Sequence, residues 1–254
     1  MEYYKSNAIY DYLISKKINK YRFVVGNAWQ LVYGNGNCEP LLLVYAVGVP
    51  VKQLESKPSE NEEEGYKLLN ETANKAKLPI IYLRFACDVE SITQVVVSNS
   101  TFQYSIIPIE ILHEEFAKYG LPTSVSSTNK YLNDKTSSAY HDWQRKNLGA
   151  NITVTDIDLW KLDMSSNPEI IIELKRSYYD LERWKPFTDD YRNFRLISNL
   201  CNMSNLGFKI LYNQRIKTPF QDKIDKMKLF EVDFSTNPSI KENGIITLLQ
   251  FESL

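Results

Sequence analysis

Ile170-Ile171-Ile172-Glu173-Leu174-Lys175-Arg176 opens as uninterrupted core and closes in charge. The apolar β-branched run predicts a buried strand. Side chains alternate along a strand, so Glu173 and Lys175 share one face and Leu174 takes the other. A carboxylate and an ammonium side by side at the end of a buried strand mark a site. Upstream lies Asp156-Ile157-Asp158, also in an apolar setting. An acid, a gap and then Glu-x-Lys is one way to hold a divalent metal beside a phosphate.

The chain supplies its own control. Glu55-Ser56-Lys57 is also Glu-x-Lys, but it runs into Pro58 and the polar stretch Ser59-Glu60-Asn61-Glu62-Glu63-Glu64. No apolar strand precedes it, and no Asp stands at a useful distance before it. The strand and the upstream acid carry the signal; the tripeptide alone does not.

Composition bounds the remaining possibilities. The 254 residues allow one large domain or two small ones, and 43% hydrophobic with 24% charged residues is ordinary for a soluble globular chain. A net charge of -1 gives no global pull toward nucleic acid. Between Glu173 and Lys228, however, twelve Lys and Arg face seven Asp and Glu. Such an excess describes either a basic surface around a site or a solvated face. Cys38, Cys87 and Cys201 are scattered, odd in number and lack a Cys-x-x-Cys pair, which fits a reducing compartment and argues against structural zinc. His113 and His141 are the only histidines, so a His-rich metal site is excluded. No apolar run approaches the roughly 18 residues of a membrane span, and the N-terminus lacks a signal-peptide apolar region. The expectation is a cytoplasmic protein with no membrane partner. Phosphate-loop, Gly-x-Gly-x-x-Gly and Gly-x-Ser-x-Gly patterns are all absent from the sequence.

Periodicity predicts alternating elements throughout. Residues 1–20 read as a helix, Tyr21 to Tyr33 as a strand, Gly34 to Asn37 as a turn, and Leu41 to Val47 as a buried strand. A helix from Glu63 to Ala76, strands at Ile80 to Ala86 and Thr93 to Val97, and a helix from Ile109 to Tyr119 follow. Gly120 to Asn129 is the linker candidate. Beyond it come a helix near Ser137 to Asn147, one strand from Asn151 to Leu162, and a turn at Ser165 to Pro168. Next are the Glu-x-Lys strand, a helix from Thr188 to about Ser204, and strands at Phe208 to Tyr212, Leu229 to Asp233 and Ile245 to Phe251. This is an α/β chain with mixed sheets, divided as an N-terminal domain over 1–120, a linker over 121–136 and a second domain over 137–254. The halves read alike, with Leu41 to Val47 standing where the second half has Glu169 to Lys175. Two accounts are open: a duplication whose first copy has lost its acids, or the alternation that any α/β chain shows.

Asp158 followed by Glu173-Leu174-Lys175, in a helix–strand–strand–helix–strand order, resembles the PD-(D/E)xK nuclease superfamily. Thr155-Asp156-Ile157-Asp158, the Trp143-bearing helix upstream and Glu173-Leu174-Lys175-Arg176 extend the likeness over roughly Ser137 to Tyr212. The signature proline before the Asp is missing, with Thr155 or Ile157 in its place. On the upstream helix Asp142 is the only acid, beside His141 and Gln144. The resemblance implies a restriction-endonuclease-like αβββαβ core and metal-dependent hydrolysis of DNA. It makes Asp158 and Glu173 ligands of Mg²⁺ (Mn²⁺ substituting) and Lys175 the catalytic lysine. Spacing adds Asp156, which shares a strand face with Asp158, as a supporting or alternative ligand, and Asp163, close to the turn, as the other alternative. Lys185, Arg192, Arg195, His141 and Gln144 are the candidate nucleic-acid contacts, against a plainer reading as solvated or packing residues. The competing function is a non-catalytic nucleic-acid-binding or adaptor protein on the same scaffold. RNA as substrate and a homodimer stay open.

Overall fold

The protein is described by a computed structural model covering residues 7–98, 104–126 and 138–254. In chain order the elements are α1 (Ala8–Ser15), β1 (Tyr21–Arg22), β2 (Ala28–Asn35), β3 (Pro40–Val49), α2 (Glu60–Ala76), β4 (Ile80–Ala86), β5 (Gln94–Ser98), β6 (Tyr104–Pro108) and α3 (Leu112–Ala117). They continue as α4 (Ala139–Asn147), β7 (Ile152–Asp156), β8 (Leu159–Leu162), β9 (Pro168–Ser177), α5 (Tyr191–Ser204), β10 (Gly207–Lys217), β11 (Phe220–Val232), β12 (Ile240–Thr247) and α6 (Leu248–Glu252). The strands form two six-stranded mixed sheets, ordered β6-β5-β4-β3-β2-β7 and β1-β8-β9-β10-β11-β12. The α/β mixed-sheet class read from the sequence is what the chain adopts. Among the described residues, no helix is long and apolar enough to cross a membrane.

The chain divides into two compact units, but not at the stretch expected to be a linker. The first unit contains Val24–Asp156; the second contains residues 7–23 with Ile157–Leu254. Residues 138–156 therefore complete the first sheet, where β7 pairs antiparallel with β2. Conversely β1, from the start of the chain, pairs antiparallel with β8 in the second. The expected single strand over Asn151 to Leu162 is thus two strands in two sheets. It breaks at Ile157-Asp158, where the Asp158 carbonyl accepts a hydrogen bond from the Tyr10 hydroxyl (2.8 Å). The strand expected over Tyr21 to Tyr33 is also split, around Gly26, whose φ of +70 lies outside the extended region. At the C-terminus, the strand expected to run to Phe251 ends at Thr247, which caps α6 in a capping box with Gln250. Strand β6 and the full lengths of β10 and β11 were not read from the sequence. The residues 127–129 of the linker candidate lie outside the described residues.

Both units are built to one plan. Each has an antiparallel hairpin (β2–β3, β8–β9), a helical crossover to a parallel strand (α2 to β4, α5 to β10) and two further antiparallel strands. A single constant shift of residue number relates the two, with matching registers. Leu31 faces Val44 as Leu159 faces Ile172, and Leu43 faces Ile80 as Ile171 faces Phe208. Both hairpins bulge at the same place, between Tyr33 and Gly34 and between Lys161 and Leu162. Their turns also match. Asn35 Oδ1 accepts from the amides of Asn37 (3.0 Å) and Glu39 (3.1 Å); Asp163 Oδ1 accepts from those of Ser165 and Asn167 (both 2.8 Å). Left-handed residues fall at Cys38 (φ 63) and Ser166 (φ 66), and again at the helix caps Lys77 and Asn205. In each unit the sheet lies between helices. Leu31, Val44 and Leu83 pack toward α3 and α4, and their counterparts Leu159, Ile172 and Leu211 toward α1 and α6. The crossover helix covers the opposite face.

Candidate functional site

The charged end of β9 lies on the face covered by α5. Ile172 goes into the core on the α1 side, and alternation turns Glu173 and Lys175 the other way. Glu173 is buried, 7% exposed. Lys175 Nζ is 2.9 Å from Glu173 Oε1 and 3.4 Å from Asp190 Oδ2, and 5.3 Å from the centre of the Phe194 ring on α5. Asp158 joins them from the start of β8. Its Oδ2 accepts from the Leu174 amide at 2.8 Å, which fixes the carboxylate between the two β9 site residues. Burial alone would lower the Lys175 pKa. Glu173, then Asp190, the Glu173 hydrogen bond and Asp158 outweigh it and hold the ammonium well above the usual lysine range. The site is therefore a half-buried lysine in a carboxylate setting, at the end of a strand. Among the described residues, no group of three or more His, Cys, Asp or Glu is arranged to hold a metal ion.

Asp158, Glu173 and Lys175 are brought together as the sequence spacing expected, while Asp156, His141 and Gln144 belong to the first unit. Asp156 is exposed at the end of β7 and lies in the first sheet, in register with Leu31. His141 and Gln144 sit on α4, which also belongs to the first unit. His141 Nδ1 closes the α4 capping box with Ser138, and its ring stands edge-on to Trp29 at 4.9 Å. Gln144 Oε1 accepts from the Tyr33 hydroxyl at 2.6 Å. These two residues pack the first unit and do not belong to the unit that holds Asp158. The reason is topological: α4 and β7 precede β8 in sequence but join the other sheet. Asp142 pairs with Lys146 on the exposed side of α4 (2.7 Å), and Asp163 is spent on its turn. Lys185, Arg192 and Arg195 do belong to the second unit, and all three are exposed. The Arg195 guanidinium lies 5.2 Å from the Phe234 ring.

Asp190 is the site residue that sequence reasoning missed. In the sequence, Asp189-Asp190 reads simply as charge opposing the dipole of the helix it opens. A carboxylate in the turn that opens a crossover helix, facing the lysine of the preceding strand, was the available signal. Missed too was Lys228, 1% exposed, whose Nζ donates to the carbonyls of Glu182 (3.0 Å) and Trp184 (3.1 Å) and pairs with Glu242 at 3.0 Å. It anchors the loop between β9 and α5, beside the site.

The first unit fills the corresponding place. The shift that relates the units puts Gln30, Tyr45 and Val47 where the second has Asp158, Glu173 and Lys175. Gln30 Nε2 donates to the Gly65 carbonyl of α2 at 2.7 Å. Tyr45 is buried against the same helix turn, so closely that a Cβ at Gly65 would come within 2.5 Å of its hydroxyl. An amide and a phenol packed onto the helix replace Asp158 and Glu173, while Glu62, the counterpart of Asp190, is paired with Arg84.

No family model and no curated protein matches the chain. Among solved structures, the C-terminal domain of the sex pheromone staph-cAM373 precursor from Staphylococcus aureus is similar over 86% of this chain and 70% of that one, at 6% identity and a TM-score of 0.17. A sex pheromone precursor from Lactobacillus salivarius subsp. salivarius is similar over 89% and 71%, at 11% identity and the same TM-score. Likeness this slight bears on neither fold nor function.

Proposed function

We propose that the second unit is a metal-dependent nuclease that hydrolyses phosphodiester bonds of DNA, with one site per chain. The observation that carries this reading is the convergence of Asp158, Glu173 and Lys175 at one half-buried strand end. The order of elements in the unit supports it. Taken with the helix and strand from the start of the chain, α1, β1, β8, β9, α5 and β10 run α-β-β-β-α-β. That is the restriction-endonuclease-like order the sequence resemblance implies.

The donor chemistry fits Mg²⁺. Asp158 and Glu173 offer hard carboxylate oxygens, and Mg²⁺ is held by one or two carboxylates with waters and substrate phosphate completing the shell. When bound there, the metal supplies charge relief at the phosphoryl oxygen and a more acidic water. Lys175 stabilises charge that develops on the phosphoryl group and orients the attacking water. Asp190, at the start of the crossover helix, positions Lys175 together with Glu173. Exposed Lys185, Arg192 and Arg195 contribute backbone contacts, which fix register without reading sequence.

The test is cleavage of plasmid and of single- and double-stranded oligonucleotides in Mg²⁺ and in Mn²⁺. The nuclease reading expects nicking or cutting that chelation removes and that Lys175→Ala abolishes. Wild-type protein inert on every DNA and RNA substrate in both metals would sink it and leave the binding-protein alternative.

A further inference from the structure

The first unit contains a cavity of about 750 Å³, a volume typical of small-molecule sites, between α2, β4, β5 and the loop that follows β3. Its origin shows when the two units are compared. The loops over 50–59 and 178–187 have equal length, and both carry Lys-Pro at the same position, Lys57-Pro58 and Lys185-Pro186. Both are tied down at the same two carbonyls by a buried cation. Lys228 takes Glu182 and Trp184; Arg84, 2% exposed, takes their counterparts Leu54 (3.4 Å) and Ser56. The cation has changed strand. Arg84 faces Val96 across β4 and β5, where Tyr212 faces Lys228 across β10 and β11.

With the loop backbones held alike, the side chains differ at one decisive place. In the second unit Trp184 is 3% exposed, stacked on Tyr212 (centroids 4.1 Å apart, 1° between planes) and edge-on to Phe230 at 5.5 Å. In the first unit its counterpart is Ser56, a hydroxyl bonded back to the Gln53 carbonyl at 2.8 Å. An indole is missing, and the cavity opens there, lined by Ser56, Arg84 and Val96 together with Tyr66, Tyr82 and Tyr104. The tyrosine rings meet edge to face, Tyr66 with Tyr82 at 5.8 Å and Tyr82 with Tyr104 at 6.2 Å.

Two features define what would fill it. Lysine and arginine around the cavity are matched one for one by glutamate, and Arg84 is itself paired with Glu62 at 2.8 Å, which disfavours a charged occupant. Asn70, also in the lining, has a buried Oδ1 with no hydrogen-bond partner among the described residues. A buried acceptor of this kind is costly to leave unmade, so a ligand N–H is favoured.

We propose that this cavity binds a neutral, planar, bicyclic heteroaromatic small molecule with an N–H donor, of indole or purine-nucleoside size, in the space that Trp184 fills in the other unit. The proposal is independent of any catalysis by the second unit. Its test uses the full chain in isothermal titration and ligand-observed NMR with indole, tryptophan, adenosine and guanosine, and with cyclohexanol as a non-planar control. At least one of the four binds with a dissociation constant below about 1 mM, and cyclohexanol does not. Ser56→Trp fills the cavity from within, raises Tm and abolishes binding. Asn70→Leu weakens binding about ten-fold, the loss of one hydrogen bond. The proposal is overturned if none of the four compounds binds, if cyclohexanol binds as well as they do, or if a folded Ser56→Trp binds undiminished. Should Ser56→Trp not fold, unchanged affinity in Asn70→Leu overturns it equally.

Discussion

Arg84→Met strikes a heavily bonded side chain of the first unit. The guanidinium donates from Nε and Nη2 to Glu62 Oε2 (3.0 and 2.8 Å), and from Nη1 to the carbonyls of Gln53 (3.3 Å), Leu54 (3.4 Å) and Ser56. Methionine keeps the stem's packing and removes every donor. Glu62, its side chain 13% exposed, is then a half-paired carboxylate with only the Tyr82 hydroxyl and its cap. Breaking a buried pair from one side costs about 3–5 kcal/mol. The carbonyls of exposed Gln53 and Ser56 add little. The expected loss is therefore about 4 kcal/mol at pH 7, read from urea titration followed by circular dichroism. Part of the loss is the charge left behind, so Glu62→Gln on the Arg84→Met background should recover about 1–3 kcal/mol. Acid gives a second handle. Burial raises the Glu62 pKa, but hydrogen bonds from Tyr82 and Arg84 and the Arg84 charge bring it below the ordinary carboxylate value. A depressed folded-state pKa contributes stability that is present above the unfolded value of about 4.3 and lost as pH falls through the lower folded value. The gap between wild type and Arg84→Met should narrow across that window. A loss below about 1 kcal/mol at pH 7, or a gap that widens in acid, would refute the reasoning.

Other perturbations separate packing from chemistry. Trp184→Ala removes a buried indole and its stack on Tyr212, with an expected cost of about 3–5 kcal/mol in the same titration; a loss under about 1 kcal/mol would mean the indole is not core. Gln144→Leu deletes the acceptor of the Tyr33 hydroxyl, so about 1 kcal/mol of stability should go while any cleavage rate stays unchanged. A ten-fold fall in cleavage with stability intact would return Gln144 to the site. Asp163→Ala and Asn35→Ala should cost similar amounts, about 1 kcal/mol each, because the two turns are bonded alike; a several-fold difference would break that equivalence.

What could be read from the sequence was local. The Ile170–Lys175 strand, the Leu41–Val47 strand and both crossover helices announce themselves by period and by caps, because those signals sit in neighbouring residues. Alternation on one strand also sufficed to put Glu173 beside Lys175, and a hairpin of ordinary length brought Asp158 to them. Partner choice between sheets is different. Nothing in Ser138 to Asp156 says that its helix and strand join β2 rather than the β8 they precede, since both sheets offer an edge and an apolar face of the same kind. His141, Gln144 and Asp156 fall in the first unit for that reason. Asp190 and Lys228 escaped because their roles depend on contacts across a crossover and across a sheet. The likeness of the two units is plain in register and turn geometry yet faint in sequence, because packing preserves apolar character and chain direction more strictly than it preserves side-chain identity.

The central claim is one catalytic site per chain, in the second unit, with its counterpart in the first unit filled. Crystals soaked in Mn²⁺ and measured at the manganese edge test it directly. The account predicts an anomalous peak between Asp158 and Glu173, lost in Asp158→Asn, and no peak beside Gln30 and Tyr45. The absence of a peak at Asp158 and Glu173, or a peak beside Gln30 and Tyr45, would contradict it.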